Sequence, residues 1–152
     1  MNKTQVPRVV LCDLDGVVWL AHRPIAGSVE AIAQLRQAGV RVLFVTNNSF
    51  STLDEQHQAL GAIGVPATGD VVTSAMSAVT AIKPSWRVLV CGGRGLIEEV
   101  RATGAETVVV YENRPVSGSF DAVVVGFHRE FDFQVLADAL TAVRGGALLI
   151  GS

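Results

Sequence analysis

The sequence predicts an α/β protein built on parallel sheets, with helices on both faces of the strands. Short runs of β-branched residues alternate along the chain with stretches of helical periodicity, and the strand runs are continuously apolar. Continuous apolarity is typical of parallel strands, because helices cover both of their faces. The balance of 49% hydrophobic and 17% charged residues is that of a folded globular chain.

The first half of the chain predicts three strands and three helices. Ser28 is a candidate N-cap for the first helix, and Thr52 with Glu55 forms a capping box that opens the second. Glycines at 39 and 64 are candidate helix ends. In this half we predict buried strands over 8–12 and 40–45, a short strand over 71–73, and helices over 28–39, 52–64 and 75–82.

A second βα series begins after Lys83-Pro84-Ser85, a segment whose composition is typical of a boundary. We therefore predict two domains, over residues 1–83 and 84–152. In the second half we predict strands over 87–91, 107–111, 122–125 and 147–150, and helices over 96–103 and 133–144.

Composition excludes several classes of partner. The net charge is −2 and the 12 basic residues are scattered, so nothing indicates a nucleic-acid surface. No apolar run approaches the length of a membrane span, and from the residues MNKTQVPR we expect no signal peptide. The two cysteines, Cys12 and Cys91, both fall in predicted strands, which is a reduced intracellular pattern. We expect a soluble cytoplasmic protein.

Two carboxylates, Asp13 and Asp15, follow the first predicted strand. Residues i and i+2 of an extended chain point to the same side, and open α/β sheets bind ligands at the carboxyl ends of their strands. Gly16 lets the backbone approach a bound group closely. Three uses stay open for this pair: binding Mg²⁺, dividing the roles of nucleophile and general acid/base, or capping a loop and pairing with arginines.

Polar residues also follow the second strand, in the segment Thr46-Asn47-Asn48-Ser49. One right-handed crossover separates this strand from the first, so Thr46 and Asn47 are expected at the same sheet edge as Asp13. A hydroxyl, an amide and free backbone N–H groups suit a phosphate, although a capped turn is the better explanation of this segment taken on its own. The start of the helix at Thr52 is a second candidate anion site.

These motifs resemble those of the haloacid dehalogenase superfamily. Asp13-Leu14-Asp15-Gly16 resembles its first motif, and Thr46 its second. The segments DLDGVVW, VTNNS, TSAMSAV and VVVGFHREFDF resemble the group of p-nitrophenylphosphatase-like, phosphoglycolate and nucleotide phosphatases along nearly the whole chain. The resemblance implies a partial Rossmann-like core over 1–83 and an incomplete, inserted α/β cap over 84–152.

The resemblance also implies a Mg²⁺-dependent phosphatase that acts on a small phosphorylated metabolite. Asp13 would attack phosphorus and form an aspartyl-phosphate, and Asp15 would protonate the leaving oxygen and later activate water. Thr46, with Asn47 and Gly16, would bind the phosphoryl group. The metal would be held by the Asp13 carboxylate and the Asp15 backbone carbonyl.

Two further motifs of the haloacid dehalogenase superfamily have no match in this sequence. One is a lysine after the cap, and the chain has only Lys3 and Lys83, the latter at the predicted domain boundary. The other is an acidic cluster opened by Gly-Asp, and the only such pair, Gly69-Asp70, has no acid in the following six residues. We expect the missing lysine and acidic cluster beyond Ser152, impaired activity of the 152 residues alone, and association into a homo-oligomer through unpaired sheet edges.

Several residues outside the motifs have competing interpretations. His128 and Arg129 are candidates for substrate contacts from the cap, against the alternative of solvated loop residues. His22 and His57 are expected to be exposed and not catalytic. A non-catalytic fragment and a dinucleotide-binding module are the alternative functions. The latter is indicated by Gly93-x-Gly95 and by the acid at 112, but position 98 is a glutamate where a third glycine is needed.

Overall fold

The computed structural model describes residues 7–152, which form two compact units. The first unit holds residues 7–46 and Leu53–Val72, and the second holds Asn47–Thr52 and Thr73–Ser152. Apart from one hairpin, the strand pairs whose registers are resolved are parallel, so the predicted α/β class is confirmed. The domain boundary at 83/84 stays a prediction, and Lys3 lies outside the described residues.

The described residues form nine strands, five α-helices and one 3₁₀ helix. The strands are β1 Val9–Asp13, β2 Trp19–Leu20, β3 Arg23–Pro24, β4 Arg41–Thr46, β5 Val71–Thr73, β6 Arg87–Cys91, β7 Glu106–Val109, β8 Ala122–Val125 and β9 Leu148–Gly151. The helices are α1 Ser28–Gln37, α2 Leu53–Ala62, α3 Ser74–Ala78, the 3₁₀ helix Val79–Ala81, α4 Arg94–Ala102 and α5 Phe133–Arg144.

The first unit contains a three-stranded sheet in the order β1-β4-β5. Strands β1 and β4 run parallel, and Asp13 at the end of β1 lies opposite Val45. Fully buried Val42 and Phe44 of β4 pack in one cluster with Ile32 of α1 and Leu60 of α2. The first unit therefore has its apolar core on one side of this sheet, and the polar ends of β1 and β4 lie at one edge of it.

Strand β1 is less buried than its sequence predicts. It is an edge strand of the described sheet, and Val9 and Leu11 keep 45% and 70% of their surface exposed. The prediction of a fully buried strand is wrong within the described residues, because the side chains of α1 and α2 gather on the opposite face, with Val42 and Phe44.

Helix α1 does not use Ser28 as its N-cap. Gly27 holds that position with φ +83°, and Ser28 is the first helical residue. The Ser28 hydroxyl instead donates to the carbonyl of Val18, 2.8 Å away. The serine thus fastens the helix start to the loop after β1, and the glycine supplies the left-handed backbone that L side chains rarely adopt.

The second unit contains a four-stranded parallel sheet in the order β7-β6-β8-β9. Alternate residues of β6 face opposite sides: Val88 and Val90 pack in the cluster that contains Leu96 of α4. Leu89 and Cys91 pack in a second cluster, which contains residue 135 of α5. Both faces of this sheet are thus covered by helices, as the apolar runs predict.

Some predicted elements change length. Strands β6 and β8 and helix α5 have the predicted bounds, whereas the helix predicted over 75–82 divides into α3 and the 3₁₀ turn. The hairpin of β2 and β3 lies between the strand predicted over 8–12 and the helix predicted over 28–39, and its turn residues Ala21 and His22 have positive φ angles of 48° and 63°. No helix among residues 7–152 is long and apolar enough to cross a membrane.

Candidate active site

Asp13 is the last residue of β1, and its side chain is exposed but oriented by a hydrogen bond. Its Oδ1 accepts a hydrogen bond from the backbone N–H of Leu14 at 2.8 Å. Leu14 itself is fully buried, whereas Asp13 and Asp15 are both exposed. The apolar strand therefore carries two acids without burying either of them, because the chain alternates between core and solvent across these three positions.

A tight turn follows the first acid. The carbonyl of Leu14 accepts hydrogen bonds from the N–H groups of Val18 and Trp19 at 2.9 and 3.1 Å. Gly16 has φ +85°, and its N–H donates to the carbonyl of Trp19 at 2.8 Å. Gly16 thus gives the turn its left-handed residue, and its own N–H is already used within the turn.

Asp15 is held by a tryptophan four residues further along the chain. The indole Nε1 of Trp19 lies 3.0 Å from Asp15 Oδ1 and donates a hydrogen bond to it. Trp19 is only 1% exposed. Sequence reasoning missed this contact, although the spacing in DLDGVVW contains the only signal for it: a buried N–H donor close behind an exposed acid.

Thr46 is the last residue of β4 and is 3% exposed. Because Asp13 is opposite Val45, Thr46 comes one residue beyond the paired end of β1. Asn48 is a turn residue, since its Oδ1 accepts hydrogen bonds from the N–H groups of Phe50 and Ser51 at 2.9 and 3.1 Å. The segment TNNS thus combines a strand-end hydroxyl with a side-chain-capped turn.

Asn47 belongs to the second unit. Its side chain is exposed, and its backbone carbonyl accepts the hydroxyl hydrogen of Ser74 at 2.9 Å. Its predicted contact with a phosphate is not tested by the structure.

Oxygen donors at the end of β1 fit a hard cation in part. The Asp13 carboxylate and the Asp15 backbone carbonyl are the oxygen ligands that Mg²⁺ prefers, and this ion usually keeps several waters and takes only one or two carboxylates. Among residues 7–152 no group of three or more His, Cys, Asp or Glu side chains could hold a metal ion. The described donors thus match the chemistry of a magnesium site without filling its coordination shell.

Two motif-like residues have structural roles. Asp70 accepts a hydrogen bond from Arg41 Nε at 2.8 Å, which makes it part of an exposed ion pair. Lys83 lies with its ammonium group 5.5 Å from the ring centroid of Trp86. These contacts agree with the interpretation that neither residue represents the missing motifs.

His128 and Arg129 differ sharply in exposure. His128 is 4% exposed, and its Nδ1 lies 3.2 Å from the carbonyl of Gly126. Its ring lies 5.9 Å from Tyr111 and 5.6 Å from Phe131, measured between centroids. Arg129 is exposed, with its guanidinium 5.6 Å from the ring centroid of Phe50. The histidine is therefore not a solvated loop residue.

The sequence predicts that the other two histidines are exposed. His22 is exposed, whereas His57 is half-buried on α2, so the expectation is wrong for His57. It faces partly inward on a helix whose buried residues include Gln56 and Leu60.

The glycines of the second unit are explained by packing. The N–H of Gly95 donates to the carbonyl of Phe50, and the N–H of Leu96 donates to that of Ser49, both at 2.9 Å. A Cβ at Gly95 would collide with the carbonyl of Ser51, and one at Gly93 with the ring of Phe50. Protein carbonyls thus occupy the N–H groups at the start of α4, where a dinucleotide pyrophosphate would need free N–H groups. This removes the support for the alternative function of a dinucleotide-binding module.

Neither cysteine is suited to act as a nucleophile. Burial, with a further contribution from the charge of Asp13, raises the pKa of the Cys12 thiol. Burial, with a contribution from Asp138, raises the pKa of Cys91 to about 12. Both remain protonated thiols at neutral pH, and the thiolate is the reactive form.

Together, the parallel α/β fold and the Asp-x-Asp-Gly loop define an α/β protein with a carboxylate site at the end of the first strand of its sheet. The model of the haloacid dehalogenase-like hydrolase family matches residues 10–106, and the chain belongs to that family. The family predicted from the motifs is therefore confirmed.

The relatives of this chain are phosphatases. It is 40% identical over 148 residues to the D-glycerol 3-phosphate phosphatase of Mycobacterium tuberculosis, covering 94% of this chain and 40% of that protein. It is 30% identical over 150 residues to the sugar-phosphatase AraL of Bacillus subtilis, covering 96% of this chain and 53% of that protein. The chain thus spans about half the length of the curated relatives it matches.

Solved structures give the same result. The crystal structure of the glycerol phosphate phosphatase from Mycobacterium tuberculosis in complex with magnesium matches with a TM-score of 0.78 and 40% identity, over 94% of this chain and 42% of that one. The p-nitrophenyl phosphatase from Archaeoglobus fulgidus matches with a TM-score of 0.80 and 28% identity, over 94% and 53%.

Proposed function

We propose that this polypeptide is a Mg²⁺-dependent phosphatase of small phosphorylated metabolites that works through an aspartyl-phosphate on Asp13. The observation that carries the proposal is the register of the first sheet. It pairs Asp13, whose side chain is exposed, with Val45, one residue before Thr46, at the carboxyl edge where parallel sheets bind ligands. The activities of the relatives support a phosphate monoester as substrate.

In the proposed reaction the two aspartates divide the work. An Asp13 carboxylate oxygen attacks phosphorus while the bond from phosphorus to the leaving alcohol oxygen breaks, and Asp15 gives that oxygen its proton. In the second half, Asp15 takes a proton from a water molecule that attacks the phosphoryl group, and the bond from Asp13 to phosphorus breaks. Inorganic phosphate leaves, and both carboxyl groups return to their starting states.

Other residues of the chain bind the phosphoryl group or shape the turn beside Asp15. The Thr46 hydroxyl donates to a phosphoryl oxygen, with the Asn47 amide as a second donor. Gly16 contributes through the left-handed turn that separates Asp15 from the hairpin. Magnesium, bound by the Asp13 carboxylate and the Asp15 carbonyl, would offset the repulsion between the nucleophile and the phosphate dianion.

We further propose that residues 1–83 belong to the core domain and 84–152 to a cap. His128 and Arg129 are the cap residues proposed to contact the non-phosphate part of the substrate. Their support is that His128 lines an open hollow of about 320 Å³ with Phe127 and Phe131, next to the exposed Arg129. A cytoplasmic location and self-association are proposed with this assignment.

The experiment that tests the function is hydrolysis of p-nitrophenyl phosphate by the chain. We expect slow release of p-nitrophenol that requires Mg²⁺ and is abolished in Asp13→Asn, a variant that keeps the shape of the side chain and removes the nucleophilic charge. Absence of Mg²⁺-dependent hydrolysis in the unmodified chain would favour the non-catalytic alternative. Activity that survives Asp13→Asn would exclude the aspartyl-phosphate route.

A further inference from the structure

We propose that the indole N–H of Trp19 is a positioning group for Asp15, holding its carboxyl group in the orientation that protonates the leaving oxygen. The inference rests on the proposed function, in which Asp15 is the general acid. It assigns to the tryptophan a task other than filling the core.

The contact joins a buried side chain to an exposed one. Trp19 Nε1 lies 3.0 Å from Asp15 Oδ1, a distance at which an indole N–H makes a good hydrogen bond. Trp19 is 1% exposed, whereas Asp15 is exposed to solvent. An exposed aspartate would otherwise sample several side-chain rotamers, so a bond to an immobile ring restricts the carboxyl group to one of them.

Both the backbone and the ring of Trp19 make contacts that hold this residue in place. The backbone N–H of Trp19 donates to the carbonyl of Leu14, and the carbonyl of Trp19 accepts from the N–H of Gly16. It pairs with Pro24 in the antiparallel hairpin, and its ring lies 4.9 Å from that of His22 between centroids. The position of Nε1 is therefore set by the turn, the hairpin and the core together.

The chemistry of the donor suits this task. An indole nitrogen donates a hydrogen bond and cannot accept one, so Trp19 can orient Asp15 without taking its proton. The bond engages Oδ1, and the transferable proton then belongs on Oδ2. That proton passes to the leaving oxygen as the ester bond breaks, and Oδ2 later receives the proton of the attacking water.

Leaving groups of different basicity separate positioning from folding. An alkyl ester releases a strongly basic alkoxide and depends on the general acid, whereas p-nitrophenyl phosphate releases a weakly basic phenolate that needs little protonation. The ratio of kcat/KM for an alkyl phosphate to that for p-nitrophenyl phosphate therefore reports how well Asp15 delivers its proton. A general loss of folded enzyme lowers both values equally and leaves the ratio unchanged.

The test uses Trp19→Phe, with Trp86→Phe as the matched control in the second unit. We expect Trp19→Phe to lower the ratio for glycerol 3-phosphate against p-nitrophenyl phosphate by about tenfold, because a displaced acid loses part of its catalytic effect. Trp86→Phe should leave the ratio unchanged. In the background of Asp15→Asn, Trp19→Phe should have no further effect on the ratio, since both changes remove the same proton transfer.

A second measurement does not depend on turnover. In the chain labelled with ¹⁵N at tryptophan, the Trp19 indole N–H signal is identified by its loss in Trp19→Phe. We expect that signal to move in Asp15→Asn while the Trp86 signal stays in place. An unmoved Trp19 signal, or an unchanged ratio in an enzyme that depends on Asp13, would overturn the positioning role.

The two failures are distinguishable. If the unmodified chain hydrolyses neither ester, the proposed function fails and the indole signal alone decides whether Trp19 holds Asp15. If hydrolysis requires Asp13 but the ratio is insensitive to Trp19→Phe, the function stands and the positioning role is wrong.

Discussion

Asp13 at the end of β1 lies opposite Val45 on β4. The sequence predicts that the ends of these two strands lie at the same edge of the sheet, and the register gives their pairing residue by residue. It makes Thr46 the first residue beyond the paired strands, with its side chain almost fully buried. A hydroxyl in that place serves the phosphoryl group in the proposed reaction.

The Thr46 hydroxyl can be removed with little change of shape. We expect Thr46→Val to lower kcat/KM for p-nitrophenyl phosphate by about 10²-fold, the size of effect seen when one donor to a developing charge is lost. Thr46→Ser keeps the hydroxyl and should retain most of the activity. Steady-state kinetics of the two variants, with thermal unfolding as a check on folding, measures this. Equal activity of Thr46→Val and the unmodified chain would remove Thr46 from the site.

Arg129 tests the proposed substrate contact from the cap. Its guanidinium lies over the ring of Phe50 and is exposed, so Arg129→Gln should fold normally. We expect the variant to raise KM for glycerol 3-phosphate with little change in kcat, because a binding contact remote from the reacting atoms is lost. Arg144, an exposed arginine in the last turn of α5, offers the control Arg144→Gln. Identical kinetic constants in the two variants would argue against the contact.

Gly95 tests the packing explanation of the glycine-rich turn. A Cβ there would collide with the carbonyl of Ser51. We expect Gly95→Ala to destabilise the chain by about 1–3 kcal/mol through overpacking. Gly61→Ala is the matched control: its Cβ meets nothing within 4 Å in the last turn of α2, and alanine there should stabilise the helix by less than the interior value of about 1 kcal/mol.

Urea unfolding of the two glycine variants gives both free energies of unfolding. An unaltered stability of Gly95→Ala would contradict the packing explanation. NAD(H) binding to the unmodified chain that vanished in Gly93→Val would restore the dinucleotide alternative.

Asp132 predicts a pH dependence of stability. Its Oδ1 accepts the N–H of Val135 at the start of α5, and both of its oxygens accept hydrogen bonds from Arg114. The Arg114 hydrogen bond is the main cause that lowers the pKa of Asp132. A lowered pKa in the folded state means that the stabilisation is complete above the ordinary aspartate pKa and is lost as the pH falls through the lowered value.

Asp132→Asn keeps a capping side chain without the charge. We expect the variant to have a lower free energy of unfolding than the unmodified chain at neutral pH, and the difference to disappear in acid. Urea unfolding of both proteins across the acidic range measures it. A difference that persists unchanged at low pH would show that the charge of Asp132 contributes nothing.

The sequence predicts the sheets better than the contacts that complete the site. Strands β6 and β8 have their predicted bounds because each apolar run is ended by a glycine, Gly92 or Gly126, and α5 because Asp132 is a strong cap preceding an apolar periodicity. Asp13, Asp15 and Thr46 are identifiable because polar residues at the ends of apolar strands contradict the local pattern.

The hairpin and the Trp19–Asp15 bond could not be predicted in the same way. The hairpin turn uses Ala21 and His22 at positive φ angles, where Asn-Gly would have given a signal. The indole bond depends on how the turn brings a side chain back by four residues, which neither strand nor helix periodicity describes. His128 is buried through ring contacts with Tyr111 and Phe131, and local sequence carries no trace of them.

Covalent trapping of the phosphoryl group is the direct test of Asp13 as the nucleophile. The chain is mixed with Mg²⁺ and p-nitrophenyl phosphate and quenched, and the acyl phosphate is reduced with borohydride for peptide mass analysis. We predict that the aspartate at position 13 is converted to homoserine in the unmodified chain and that no residue is modified in Asp13→Asn. Hydrolysis without modification of Asp13, or with the modification at another residue, would show that Asp13 is not the nucleophile.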